Sequence, residues 1–495
     1  MSTSTFGALV HLESSPPVTN PAAVVRKDKQ GIARSPTDHE LDDIQRDTHS
    51  ATDAPKQSAG IQTPVSPGEL ESRADTPGER WATDPVPDHT ASSMTKWRLL
   101  SACLMNLANG FNDSAPGALI PSIEKDYGIG YAVVSLIFVS NAAGFIIAAP
   151  FTYFLETKLG RSKAYALSTL ILAAAYVIII CKPPFPVVVV SFFLLGFGIS
   201  LNLALNNVFC ANLSNNTAAL GGLHGGYGIG GIAGPLIATA LVSHGVRWSF
   251  YYSINLAMSL FNLVFAAWSF HNYEKDLPAQ LLTALQQTAS RQEQNDDAPS
   301  RKEVLKQAVK NKTTLLGSLF IFAYQGAEVS ISGWVVSFLI SYRHGDPSRV
   351  GYVSAGFWAG ITVGRFVLSH PAHKFGEKVA VVLLVLGSIA FQLMTWFIPN
   401  VIGEAVTVAL VGLLLGPVYP CATAVFSKLL PRHIQMSSLS FTSAMGSSGG
   451  AVAPFFTGLL AQNVGTVVLH PICIGLYVVM LAAWLSLPKI SKRSE

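Results

Sequence analysis

The sequence predicts an all-α integral membrane protein, with twelve transmembrane helices arranged as two pseudo-symmetric six-helix bundles. Three observations carry that prediction. Half of the 495 residues are hydrophobic and only 13% are charged, against about 25% in soluble domains, and the mean hydropathy is +0.39. Twelve apolar stretches follow one another between residues 97 and 488, each near the ~20 residues a helix needs to cross hydrocarbon. One offset of 216 residues superposes landmarks of the first six stretches on the last six: Gly110 on Gly326, Gly117 on Gly333, Gly144 on Gly360, Gly160 on Gly376 and Gly196 on Gly412. Two parallel repeats with a site between them near the bilayer midplane are the architecture of many secondary transporters.

Residues 1–95 hold ten prolines, many Ser, Thr and Asp, and no sustained apolar period, which is the composition of a disordered tail. No apolar run of signal-peptide length follows Met1, so the first span is expected to act as the insertion signal. Spans near 97–121, 131–155, 164–181, 185–209, 218–243 and 248–271 form an N-terminal bundle over 96–271. A polar linker, 272–312, contains the basic amphipathic piece SRKEVLKQAVKNK; it suits an anionic membrane surface and equally a solvated helix. Spans near 313–341, 348–369, 379–398, 401–427, 436–461 and 465–488 form the C-terminal bundle over 313–488, and 489–495 is a second tail.

Charge gives the orientation. Lys96, Arg98, Lys158, Arg161, Lys163, seven basic residues of the linker, Lys374, Lys378, Lys428, Arg432, Lys489, Lys492 and Arg493 fall on one side, and only Lys125, Lys182, Arg247, Arg343 and Arg349 on the other. The positive-inside rule places both tails in the cytoplasm, and the sequons at Asn212, Asn215 and Asn311 with them, so they are expected to stay unglycosylated. A multi-pass protein of the plasma membrane, monomeric and without a nucleic-acid partner, is the expectation. Cys103, Cys181, Cys210, Cys421 and Cys473 stand apart in apolar segments, without CxxC or His partners, so no metal or cofactor is expected. HExxH and P-loop motifs are lacking, which speaks against an enzyme.

The polar residues inside the spans carry the chemistry. Asp113 stands mid-span at an insertion cost of roughly 2.5 to 3.5 kcal/mol, and Asn106, Asn109 and Asp113, spaced i, i+3 and i+7, share a helix face. Asn112 adjoins them. Glu328 is a second lone carboxylate, in the seventh span, and these two acids are the candidates for proton coupling. Asn202 and Asn206 share a face of the fourth span, His224 and Tyr227 of the fifth, and Tyr324, Glu328 and Ser332 of the seventh. These can hydrogen-bond a hydroxylated solute, and each Asn also suits an interhelical bond. Gly222, Gly226, Gly230 and Gly234, and in the eleventh span Ser438, Thr442, Gly446 and Gly450, recur every four residues as close-packing faces.

These residues resemble the major facilitator superfamily, and within it the fucose–proton symporter family, over 97–488. NGFND at 109–113 is similar to that family's first-helix signature, whose Asp is implied to carry the coupled proton and touch the sugar; Asp113 inherits that role. YQGAEVSI at 324–331 and GGAVAPFFTG at 449–458 resemble its seventh- and eleventh-helix motifs, and Tyr419 and Pro420 fall at its tenth-helix aromatic–Pro pair. TKLGRSK at 157–163 resembles the superfamily's gate motif, with Thr157 in the Asp position and Glu156 beside it, which makes Glu156, Lys158, Gly160 and Arg161 gating candidates; HKFGEK at 373–378 is a fainter copy. The fourth span lacks the acid the family places after its Gly-x-Gly. The resemblance implies proton-coupled symport of a sugar or similar small solute. Gly221, Gly230, Gly234 and Pro235 also fit part of an antiporter pattern, leaving metabolite export as the rival and a transport-silent sensor as a third reading.

Overall fold

The computed structural model describes residues 93–211, 213, 216–273, 276 and 301–488. The sequons at Asn212 and Asn215, residues 1–92 of the N-terminal tail, most of the linker and the C-terminal tail lie outside the described residues. All regular structure within them is helical.

The helices fall on the twelve spans in order. The first span is Ser93–Ser114 continued by Pro116–Tyr127, the second Tyr131–Val134 continued by Leu136–Leu159, the third Arg161–Ile180, the fourth Phe185–Ala211, the fifth Asn216–Ser243 and the sixth Tyr251–Ser269. A linker helix, Arg301–Lys310, precedes the seventh span, Lys312–Ser341. Asn311 caps that span, its side chain accepting from the Thr313 and Thr314 amides, which satisfies N–H groups that have no partner in the first turn. The eighth to twelfth spans are Pro347–Val367, Glu377–Phe397, Val401–Leu415 with Val418–Leu429, Arg432–Val464, and Leu469–Leu485.

Nine of the described helices are long and apolar enough to cross a membrane. The first, eighth and eleventh spans complete the twelve; Asn, Ser and Gly dilute their hydropathy. Large apolar side chains such as Phe261, Val264, Leu383 and Ile402 point outward, as a lipid-facing belt requires.

The repeat is confirmed contact by contact. A β-carbon at Gly144 would overlap the Phe193 carbonyl and the Phe197 amide; at Gly360 it would overlap the Ala409 carbonyl and the Leu413 amide, each atom 216 residues further on. Gly196 on Asn141 is likewise repeated by Gly412 on Phe357. In hydrocarbon, where apolar burial gives helices no reason to associate, such close backbone contact supplies the cohesion. The turn after each second span of a half needs a left-handed residue, and Gly160 (φ 77°) and Gly376 (φ 96°) provide it at paired positions.

Let the terminal face be the one at which the described chain begins and ends. Gly117 lies against the Ser332 carbonyl and its own repeat mate, Gly333, so the pseudo-twofold axis passes between them. Tyr131 meets Trp334 edge-on at 5.7 Å, and Gly458 leaves no room for a side chain beside Ser135 and Trp334. The fifth and eighth spans repeat this seam, with Thr239 over Gly351. These contacts of the first span with the seventh, of the second with the seventh and eleventh, and of the fifth with the eighth all lie toward the face opposite the termini.

Candidate functional site

The first span is interrupted where the chemistry is. Pro116 has no N–H for the Asn112 carbonyl and ends the first helical segment, placing Asn112 and Asp113 beside the break. The Tyr227 hydroxyl, from the fifth span, donates to Asp113 Oδ2 at 3.1 Å, and Asn112 Nδ2 donates to Oδ1 at 3.1 Å. Asp113 opens into a cleft between the halves, lined also by Asn141, Phe138, Gly117, Ser332 and Gly333. Ser332, a predicted site residue, thus reaches Asp113's cleft, and its own hydroxyl turns back to the Val329 carbonyl at 3.2 Å.

The seventh span builds a second charged group one layer away. The Tyr324 hydroxyl donates to the Leu415 carbonyl at 3.3 Å, where the tenth helix is interrupted before Val418, and it lies within electrostatic range of Glu328 and of the Arg365 guanidinium of the eighth span. Gly416 lets the tenth span press on the Arg365 backbone amide, fixing its position. Tyr227 joins the two groups: it interacts electrostatically with Asp113, Glu328 and Arg365, and its ring meets Trp358 of the eighth span at 6.1 Å. Glu328 is the repeat mate of Asn112, 216 residues on, whereas Asp113 pairs with Val329; the two acids do not follow the twofold.

Arg365 and Asn141 escape the sequence reading. Arg365 stands inside the apolar run GITVGRFVL, the same anomaly that singles out Asp113, but a tally of basic residues confined to loops passes over it. Asn141 is the same kind of signal in the second span.

Other predicted residues lie elsewhere. Asn109 Nδ2 donates to Asn202 Oδ1 at 2.7 Å, and Asn106 Nδ2 to the Leu223 carbonyl at 2.8 Å, so these amides join helices within the N-terminal bundle. Asn206 is fully buried, and neither amide atom has a hydrogen-bond partner among the described residues. His224, half-buried, stands nearly one turn from Tyr227 toward the terminal face. Of the gating candidates, Gly160 supplies the turn that lets Arg161 Nε bond Glu156 Oε1 at 2.8 Å. Arg161 also stacks on Tyr273 at 4.5 Å, and Arg98 on the same ring at 5.2 Å. Lys158 instead lies over Phe154. In the second half Glu377 holds Lys428 at 2.7 Å and His373 at 2.8 Å. Among the described residues no cluster of His, Cys, Asp or Glu could hold a metal ion.

The arrangement offers one acid in a cleft between two halves, a counter-charged acid nearby and many neutral hydrogen-bonding groups. Comparison with known proteins points the same way. Residues 102–406 and 331–495 match the Major Facilitator Superfamily. Bypass of stop codon protein 6 of Saccharomyces cerevisiae is 26% identical over 471 residues, covering 90% of this chain and 93% of that one. The glucose/galactose transporter of Brucella abortus is 29% identical over 167 residues, 30% of this chain and 36% of that one. A bacterial homolog of the human lysosomal transporter Spinster, solved inward-facing and unoccupied, superposes with a TM-score of 0.60 at 12% identity, over 80% of this chain and 96% of that one; this likeness concerns the fold.

Proposed function

The chain belongs to the Major Facilitator Superfamily and is a multi-pass membrane transporter, and from that premise we propose that it carries a small hydroxylated solute, of the sugar or polyol class, together with protons. The observation that carries this reading is Asp113, a mid-span carboxyl that accepts the Tyr227 hydroxyl while facing the cleft between the halves. An acid there exchanges protons as the cleft opens to each side in turn, and neighbouring amides and hydroxyls suit a polyol. Glu328 has the Arg365 charge within electrostatic range, so we assign it to solute orientation and Asp113 to the coupled proton. The resemblance to the fucose–proton symporters and the partial match to a glucose/galactose transporter support the substrate class. With both termini in the cytoplasm of a plasma-membrane protein, the contacts between Gly117 and Ser332 and between Tyr131 and Trp334 close the outer side.

The test is uptake of radiolabelled D-galactose and D-glucose into proteoliposomes, with and without an imposed pH gradient, alongside counterflow without one. Gradient-driven accumulation competed by unlabelled sugar is expected. Flux of neither sugar overturns the substrate class, and flux that runs against the proton gradient favours the export reading.

A further inference from the structure

Inside the N-terminal bundle, apart from the cleft between the halves, the first, third, fourth and sixth spans enclose a small chamber. Asn109, Asn202, Asn255, Asn262, Ser259 and Thr169 give it a polar lining, and Met105 and Tyr176 adjoin them. Four asparagines on three spans are a heavy desolvation cost for a bundle that needs only apolar packing. Asn109 and Asn202 satisfy each other, and Ser259 donates to the Thr169 carbonyl at 2.8 Å. Asn255, 2% exposed, has neither amide atom hydrogen-bonded among the described residues, and the side-chain oxygen of Asn262 is in the same position.

The donor set decides the occupant. A cation satisfies the carbonyl oxygens but is repelled by the Asn255 N–H₂, and the lining holds no carboxylate to balance it. Water donates to Oδ1 and accepts from Nδ2, and the space is water-sized rather than solute-sized. Asp113 stands about one helical turn beyond the chamber's lining. Asn109 is one turn before Asp113 on the same helix; Tyr176 lines the chamber and lies within electrostatic range of Asp113. Tyr252, whose buried hydroxyl is unpartnered among the described residues, lies within that range too, its ring 6.1 Å from that of Tyr176. Asn262 extends the polar lining two turns along the sixth span toward the terminal face.

We propose that this chamber is an internal hydration site through which Asp113 exchanges its proton with the terminal face, inside the N-terminal bundle and separate from the solute's cleft. The transfer conserves charge: the carboxyl O–H of Asp113 breaks as the adjoining water takes the proton, and that water passes one of its own protons onward. This rests on Asp113 as the proton carrier proposed above.

Two measurements on the full-length protein test it without a solute. Radiolytic labelling, which oxidises side chains beside bound water, is expected to modify Met105 and Tyr176 in the wild type and to spare them in Asn255→Leu. In infrared spectra after transfer to D₂O at a pH low enough to protonate Asp113, the protonated-carboxyl band missing from Asp113→Asn is expected to exchange at least fivefold more slowly in Asn255→Leu and in Asn262→Leu. Asn255→Ser, which leaves room for water, should keep the wild-type rate, and unchanged melting temperatures separate this effect from misfolding. Unlabelled Met105 and Tyr176 in the wild type, or an unchanged exchange rate in folded Leu variants, overturns the route alone. If Asp113→Asn removes no protonated-carboxyl band at any pH at which the protein stays folded, the proton-carrier assignment falls and the route with it.

Discussion

The hydroxyl of Tyr227 on the fifth span donates to the carboxylate of Asp113 on the first, at 3.1 Å, while the Tyr227 ring rests on Trp358 of the opposite half. One side chain therefore touches both the ionisable group of the cleft and the seam between the halves. A hydroxyl–carboxylate bond of this kind contributes about 1.5 to 3 kcal/mol, and it depends on Asp113 remaining an acceptor. Gain of a proton weakens it and alters a contact adjoining the interface, which is the differential interaction that coupling between two fluxes requires.

Asp113→Asn keeps the size of the side chain and removes its titration. We expect it to abolish accumulation of solute driven by a pH gradient, by at least tenfold, while counterflow exchange stays within about threefold of wild type. Proteoliposome uptake with and without the gradient is the measurement, and concentrative uptake by the variant would move the proton to Glu328 or His224.

Arg365 and Glu328 lie within electrostatic range of each other and of Tyr324. Arg365→Leu removes the positive charge nearest Glu328, and Glu328→Gln the negative charge within range of Arg365, so each single variant is expected to be less stable than wild type. The double variant restores neutrality and is expected to be more stable than the Arg365→Leu single, with a coupling energy of 1 to 3 kcal/mol in a double-mutant cycle of unfolding midpoints. Additive effects would mean that the two side chains do not act as a pair.

Gly117 meets the Ser332 carbonyl where the halves close. Gly117→Leu should hold the far face apart and stop transport while leaving the protein in the membrane, whereas Gly221→Ala, with open space around it, should be silent. Thiol labelling of a cysteine introduced at Ser332 reads the difference: faster modification in Gly117→Leu is expected, and an unchanged rate refutes the closure.

Gly160 and Gly376 have positive φ at equivalent turns, and an L side chain in so sparsely populated a backbone conformation costs of order 1 to 3 kcal/mol. Gly160→Ala and Gly376→Ala should each lower the unfolding midpoint, and the pair should lower it additively because the sites lie in different halves. Gly160→Ala should also reduce transport by displacing Arg161 from Glu156 and Tyr273; full activity in that variant would reduce the motif to a structural turn.

Much of this molecule is written in its sequence. Hydropathy determines the number of spans, because hydrocarbon requires each crossing to satisfy its own backbone within a helix. The 216-residue offset determines the repeat so closely that Gly144 on Phe193 foretells Gly360 on Ala409. The insertion cost of a mid-span charge singles out Asp113 and Glu328, and the same argument extended to the interior of the eighth span reaches Arg365. The pairings of polar side chains were decided only by tertiary structure. Spacing along a helix shows that Asn109 and Asp113 share a face, but that face is wide enough for Asn109 to turn to Asn202 and for Asp113 to reach Tyr227. Which neighbour a polar group meets depends on helix rotation and crossing, set by glycine contacts between different spans such as Gly230 on Leu107, and no periodicity within one span records them.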